Sequence, residues 1–260
     1  AASTQERSQT VIIRRALALQ RTLRHMSVRI DPGELVVGNH STALRAAPIF
    51  PEYSVDWLLA ELDELENRPG DVFHVSAEQK RSIREICQFW VGQTVCDRAY
   101  ALMPPLTREI HEAQITRAVA NLTSGDGHIA VNFPRIFDSG LDGYLQRVRG
   151  MRSALSLTTQ EDLRQDLFYR SLEIGIIALQ GFILRFAELA AEQARACADG
   201  QRGRELEQIH ETCLRVSRLP PRSFREALQL VFFLQLVLQI ESNGHSVSLG
   251  RLDQYLYPLF

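Results

Sequence analysis

Two short stretches hold the residues whose types and spacing could do chemistry. "SGDGHIAVNFP" covers residues 124–134 and contains Asp126 and His128. "ESNGHSVSLGR" covers 241–251 and contains Asn243, His245 and Ser246. Each makes a Gly-His step and then turns to alternating or apolar residues that read as strand. Glycine permits close backbone approach, and imidazole offers a donor and an acceptor near neutral pH. A strand that opens with Gly-His-Ser at its tip would aim polar groups into a cavity. Histidines in Gly-rich loops also serve as surface residues or local hydrogen-bonders, and the spacing alone does not separate these readings.

Other chemistries find little support. Cys87, Cys96, Cys197 and Cys213 form no CxxC pair and no zinc spacing, so they read as buried thiols acting as small hydrophobes. None sits in a Gly-rich turn beside a base, as an activated nucleophile would. The histidines show no HExxH spacing; His111–Glu112 and His210–Glu211 read as solvated helix faces, and no metal site is expected. "SGDG" lacks the lysine and the length of a phosphate loop. Asn121-Leu122-Thr123 matches a glycosylation sequon, read as chance because no secretory signal precedes it. Carboxylate pairs such as Asp63/Glu64 and Glu205/Glu207 read as exposed helix charge.

The composition is that of a folded globular chain. Apolar residues make up 45% and charged residues 23% of 260, and the net charge of -2 gives no basic excess for nucleic acid. Lys80 is the single lysine. The most apolar run, Ala227 to Ile240, is broken by Gln229, Gln235 and Gln239. It is shorter than the roughly 20 residues a bilayer requires. The expectation is a cytoplasmic protein with no membrane or nucleic-acid partner.

The elements that must position the two clusters are mainly helices. Helical spacing runs over 10–26, and "DPGE" (31–34) is a turn before a short strand in "LVVGN". "RAAPIFPEY" is extended, since a residue before proline avoids the helical region. Ser54 starts a helix with Trp57, Leu58, Leu62 and Leu65 inward. Ser76 and Gln79 form a capping box for the next. Leu106–Ala120 is helical, "IAVNF" is a short apolar piece stopped by Pro134, and Gly140–Leu155 returns to helix. Thr159 and Asp162 open the longest helix, to about Ala198, closed by "DGQRG". A further helix spans about Arg204–Val216. Ser223 and Glu226 form a second capping box that launches Phe224–Ile240. This last helix is apolar on nearly all faces and must be surrounded by protein. No linker or repeat divides the chain.

Eight stretches, in order, resemble one family: "IIRRALAL", "ELVVGN", "RAAPIFPEY", "RPGDVFHVS", "FWVGQTVCDRA", "GDGHIAVNFPRI", "PPRSFREALQL" and "QIESNGHSVSLGRLDQYLYP". The chain resembles the glycyl-radical enzymes, in the pyruvate formate-lyase-like branch with the glycerol and diol dehydratases and formate acetyltransferases. The resemblance runs from about residue 8 to 260. It implies the N-terminal helical part of a glycyl-radical-enzyme α/β barrel, mainly α here, with the first barrel strand near 243–250. Residues 1–260 would be one incomplete portion of that domain.

The resemblance also implies a reaction. A glycyl radical, installed by an S-adenosylmethionine-dependent iron–sulfur activating enzyme, oxidises a cysteine whose thiyl radical attacks the substrate. The family's Gly-Cys-x-Glu motif is matched by none of "EICQF", "TVCDR", "RACAD" or "ETCLR". Its Arg-Val-x-Gly-Tyr radical motif is missing too, because Gly143–Tyr144 lacks the Arg-Val. The isolated chain is therefore expected to be inactive, with no bound cofactor and no catalytic residue of its own. The complete enzyme is expected to be an anaerobic homodimer. His128, His245 and Ser246 match positions that face the substrate, with Asn243 and Asp126 as further candidates. An imidazole pair and a hydroxyl suit a dehydratase acting on a small hydroxylated substrate. Two alternatives stand beside it: formate acetyltransferase-like C–C cleavage of a 2-keto acid, and a truncated non-catalytic helical binding or regulatory module.

Overall fold

The computed structural model describes residues 9–44, 46–115, 127–242 and 246–260. It is mainly helical, as the periodicity predicts. The chain falls into two compact units. The first holds the described residues of Ala1–Thr42, Ile129–Glu241 and Val247–Phe260, and the second those of Ala43–His128 and Ser242–Ser246.

The first unit is built on long helices. α1 spans Val11–His25. After the second unit's helices α2 (Asp56–Glu61), α3 (Ala77–Trp90), α4 (Val95–Leu102) and α5 (Pro105–Glu112) come β1 (Ile129–Ala130), α6 (Phe133–Ser153), α7 (Gln160–Ala196) and α8 (Gly200–Val216). The chain continues through α9 (Phe224–Ser242), β2 (Val247–Ser248), α10 (Leu252–Leu256) and a closing turn of 3-10 helix, Tyr257–Leu259. α7 packs against α1, α6 and α8. Its length and composition would allow a membrane crossing, yet 44% of its most apolar window is buried in the protein. Phe182, Phe186 and Phe233 form the centre of this core, with Phe182 and Phe186 edge to face at 5.2 Å and Phe186 and Phe233 at 5.3 Å.

Caps fix where the helices begin. Thr159 accepts from the Asp162 amide and opens α7. Asp199 accepts from the amides of Gln201 and Arg202, so "DGQRG" opens α8 four residues before the expected start at Arg204 instead of only closing α7. Ser223 accepts from the Glu226 amide at 3.4 Å, but the Glu226 carboxylate takes the Arg222 amide at 2.6 Å, one residue earlier than a reciprocal box requires. α6 starts at Phe133, not Gly140. Pro134 sits in its first turn, where the missing N–H costs nothing, and the expected helix start at Gly140 is a kink with φ 64°. The strand expected in "LVVGN" does not form: Leu35 and Val36 lie in a bend, and Val37 bonds to a helix side chain in place of a neighbouring strand.

The second unit has its own core of Val55, Leu58, Leu62, Leu65 and Cys87. Ser76 and Gln79 make the expected capping box of α3. α2 begins at Asp56, after Val55 in place of Ser54. Thr94 and Asp97 make a further box that opens α4. α5 ends at Glu112, short of the expected run to Ala120, whose last residues lie outside the described ones.

Candidate functional site

β1 and β2 pair in parallel, with Ile129 opposite Val247 and Ala130 opposite Ser248. β2 lies within the window expected for the first barrel strand. Each strand is preceded by one residue of a Gly-His cluster: His128 leads into β1, and Ser246 into β2. His128 and Ser246 are thus the residues immediately before the paired positions Ile129 and Val247. Asn243, His245 and Asp126 lie outside the described residues.

Both head residues are exposed, and both adopt left-handed backbone: φ is 39° at His128 and 57° at Ser246. A non-glycine residue held there costs of order 1–3 kcal/mol, and such residues cluster where a side chain must be aimed. Among the described residues, two of the five non-glycine residues with positive φ therefore immediately precede the strands of the parallel pair.

The exits of the two strands are fixed as well. After β1 the Asn132 side chain accepts from the Arg135 amide and caps α6. After β2 the Ser248 hydroxyl accepts from the Gly250 amide at 3.0 Å, and the Tyr255 hydroxyl donates to the Leu249 carbonyl at 2.8 Å. Tyr255 rests 5.0 Å from the Phe133 ring and 5.9 Å from Phe137. Burial raises its phenol above the ordinary value, so it remains a donor. The entry to β2 is fixed by α9: Gln235 Nε2 donates to the Val247 carbonyl at 2.9 Å.

The first unit also contains a cavity of about 470 Å³, lined by Ile12, Leu19, Ile129, Val131, Leu234 and Val237 among others. Its walls are chiefly apolar, which suits neither a diol nor a carboxylate. No group of histidine, cysteine and carboxylate side chains that could hold a metal occurs among the described residues. The Cys213 thiol is driven up to about 12 by burial, and burial also raises Cys87 and Cys96, so these three lack the lowered pKa of a reactive thiol.

Arg15, Gln229 and Gln235 escape a reading for chemistry. The two glutamines left one trace: polar residues inside an otherwise apolar helix must find partners. The partners themselves lie far along the chain.

Comparison with known proteins identifies the family. The family model for pyruvate formate lyase-like (PFL-like) proteins matches residues 1–260. The probable dehydratase YbiW of Escherichia coli (strain K12) is 46% identical over 248 residues, 95% of this chain and 31% of that protein. The glycerol-bound B12-independent glycerol dehydratase of Clostridium butyricum superposes with a TM-score of 0.94 at 33% identity, over 98% of this chain and 33% of that one. A glycyl radical enzyme of Archaeoglobus fulgidus superposes with a TM-score of 0.87 at 31% identity, again over 98% and 33%. The chain therefore spans about a third of the length of these relatives. A family match across the whole chain, together with two solved folds of this closeness, leads to one conclusion: the chain belongs to the pyruvate formate lyase-like family of glycyl radical enzymes.

Proposed function

We propose that the chain is the N-terminal portion of a glycyl-radical dehydratase that removes water from a small hydroxylated substrate, and that it contributes substrate-binding groups, not the radical. The observation that carries this is that His128 and Ser246 share a left-handed backbone and each immediately precedes a strand of the β1–β2 pair. His245 adjoins Ser246 in sequence and is the second imidazole of the proposed set. Asn243 and Asp126 complete the proposed set.

The chemistry of dehydration matches these groups. A vicinal diol presents two hydroxyls that must be held and told apart. Hydroxyl and imidazole each donate and accept, so Ser246 and a histidine can grip one hydroxyl as acceptor and donor together. The other histidine can donate to the departing hydroxyl, easing its loss as water. The glycyl radical, installed by an iron–sulfur, S-adenosylmethionine-dependent activating enzyme on a glycine outside this chain, would supply the hydrogen-abstracting chemistry. The complete enzyme is a cytoplasmic, anaerobic homodimer on this reading, and the 260-residue chain alone has no turnover.

The test is the complete reading frame, expressed with its activating enzyme and activated without oxygen. Electron paramagnetic resonance should show the glycyl radical, and glycerol or propane-1,2-diol should yield an aldehyde. His128→Ala, His245→Ala and Ser246→Ala should each lower kcat/KM by at least about tenfold, the scale of a lost hydrogen bond to a reacting group. A full radical signal with no dehydration of any small hydroxylated compound would overturn the reading. So would Ala variants at His245 and Ser246 that keep wild-type kinetics.

A further inference from the structure

The segment bearing Asn243, His245 and Ser246 leaves α9 at Ser242 and enters β2 at Val247. Both flanks are held by side chains to which the proposed reaction gives no role. At the upstream flank, Arg15 of α1 donates from Nε to the Glu241 carboxylate at 2.8 Å. It also donates from a terminal guanidinium nitrogen to the Glu241 backbone carbonyl. That carbonyl belongs to the last turn of α9, where the final four C=O groups have no partner within the helix. α9 carries no basic residue of its own in that turn, and it places Glu241 at the negative end of its dipole. Arg15 supplies the missing cation and the missing donor from another helix.

The downstream flank is tied to α9 itself. Gln235 Nε2 donates to the Val247 carbonyl at 2.9 Å. A carbonyl only accepts, so the amide nitrogen must be the atom that faces it. The helix that launches the segment therefore also holds the residue on which it lands.

We infer that Arg15 and Gln235 are positioning residues that clamp residues 241 and 247 and so determine where Ser246 meets the substrate. This rests on the proposed substrate-binding role of Ser246. A misplacement near 1 Å at a reacting centre costs up to about 100-fold, so the clamp matters even though it never touches substrate.

Arg15→Met and Gln235→Met, introduced singly into the complete activated enzyme, test it. Arg15 and Glu241 side chains are 42% and 36% exposed, so Arg15→Met strands no buried charge. Each variant should lower kcat/KM about tenfold, chiefly by raising KM, with radical yield as in wild type. Ser246→Ala is run beside them. If it raises KM while both clamp variants keep wild-type KM, the clamp is overturned. If Ser246→Ala keeps wild-type kinetics, the substrate-binding reading fails instead, and hydrogen exchange in the complete enzyme decides whether the clamp orders Ser246. Faster exchange at the amides of 246–248 in each variant, with α7 protected as in wild type, upholds it. Wild-type exchange at those amides overturns it.

Discussion

The Gln229 carboxamide takes the place of a neighbouring strand for Val37. Its Oε1 accepts from the Val37 amide at 2.9 Å, and its Nε2 donates to the Val37 carbonyl at 2.7 Å. Both residues are buried, Val37 fully and Gln229 to within 2% exposure. One side chain thereby satisfies both backbone groups of a residue that no strand reaches. Gln229→Leu keeps the volume and leaves that amide and that carbonyl without partners. Each orphaned buried group costs about 1–3 kcal/mol, so the variant should lose about 3 kcal/mol in urea melts. A loss below about 1 kcal/mol would mean that water reaches Val37 in the native state.

This pair marks where sequence reading stops. The pattern "LVVGN" reads as strand, yet Leu35 and Val36 lie in a bend and no strand forms there. Its partner lies 192 residues away on a helix, a distance no periodicity spans. Local signals were legible: Ser76 with Gln79, and Thr159 with Asp162, fixed helix starts that the structure reproduces. Pro134 misled because proline reads as a stop, whereas here it sits in a first helical turn. At the site, the residue types of His128 and Ser246 stood out, but their places just before two paired strands depend on the parallel pairing of β1 with β2. Arg15 gave no sign, since an arginine on a helix face looks like any solvated charge.

Two glycines should respond with opposite signs. Gly140 has φ 64°, and a Cβ there would lie 2.6 Å from the Leu219 carbonyl carbon and 2.6 Å from the Pro220 nitrogen. Neither backbone atom can swing aside, so Gly140→Ala should destabilise by about 3 kcal/mol or more, from strain plus overpacking. Gly181, in the interior of α7, meets nothing within 4 Å. Gly181→Ala should stabilise by about 0.5–1 kcal/mol, because alanine restricts the unfolded chain and favours helix. Thermal melts of the two variants read both signs, and a neutral Gly140→Ala would contradict the close approach.

The thiols should divide sharply in native labelling. Burial pushes Cys213 up to about 12 and also raises Cys87, and both side chains are fully buried. The thiolate is the reactive form. At pH 8, an alkylating reagent should leave Cys213 and Cys87 untouched until urea unfolds the chain, while partly exposed Cys197 reacts first. Mass spectrometry of peptides labelled before and after unfolding gives the order. Labelling of Cys213 at the rate of a free thiol in native buffer would show that α8 opens locally.

The α4 cap should lend the second unit a pH dependence. Asp97 Oδ2 accepts from the Thr94 hydroxyl at 2.7 Å and from the Thr94 amide at 2.9 Å. The Thr94 hydroxyl and then its amide hold the Asp97 carboxyl below its ordinary 3.8. A carboxyl lowered on folding stabilises the folded state above its unfolded value. That contribution disappears as pH falls through the lower folded value. Thr94→Ala should cost about 1 kcal/mol at pH 7, the usual worth of a helix cap. Asp97→Asn should narrow its deficit against wild type as pH drops from 5 toward 2. An unchanged deficit across that range would mean that the charge contributes nothing to the cap.

Ser246 should separate strain from binding. Its φ of 57° favours glycine, so Ser246→Gly should relieve backbone strain and stabilise the chain by about 1 kcal/mol. Ser246→Ala keeps a Cβ in the same conformation and should gain nothing. Both variants remove the hydroxyl, so both should weaken substrate binding in the complete enzyme alike. A chain that becomes more stable as it loses function is the expected signature of a residue kept in an unfavourable conformation for its side chain's sake. Equal melting temperatures for the Gly and Ala variants would show that the left-handed backbone carries no strain there. Stronger binding by Ser246→Gly than by Ser246→Ala would shift the role from the hydroxyl to the freedom of the backbone.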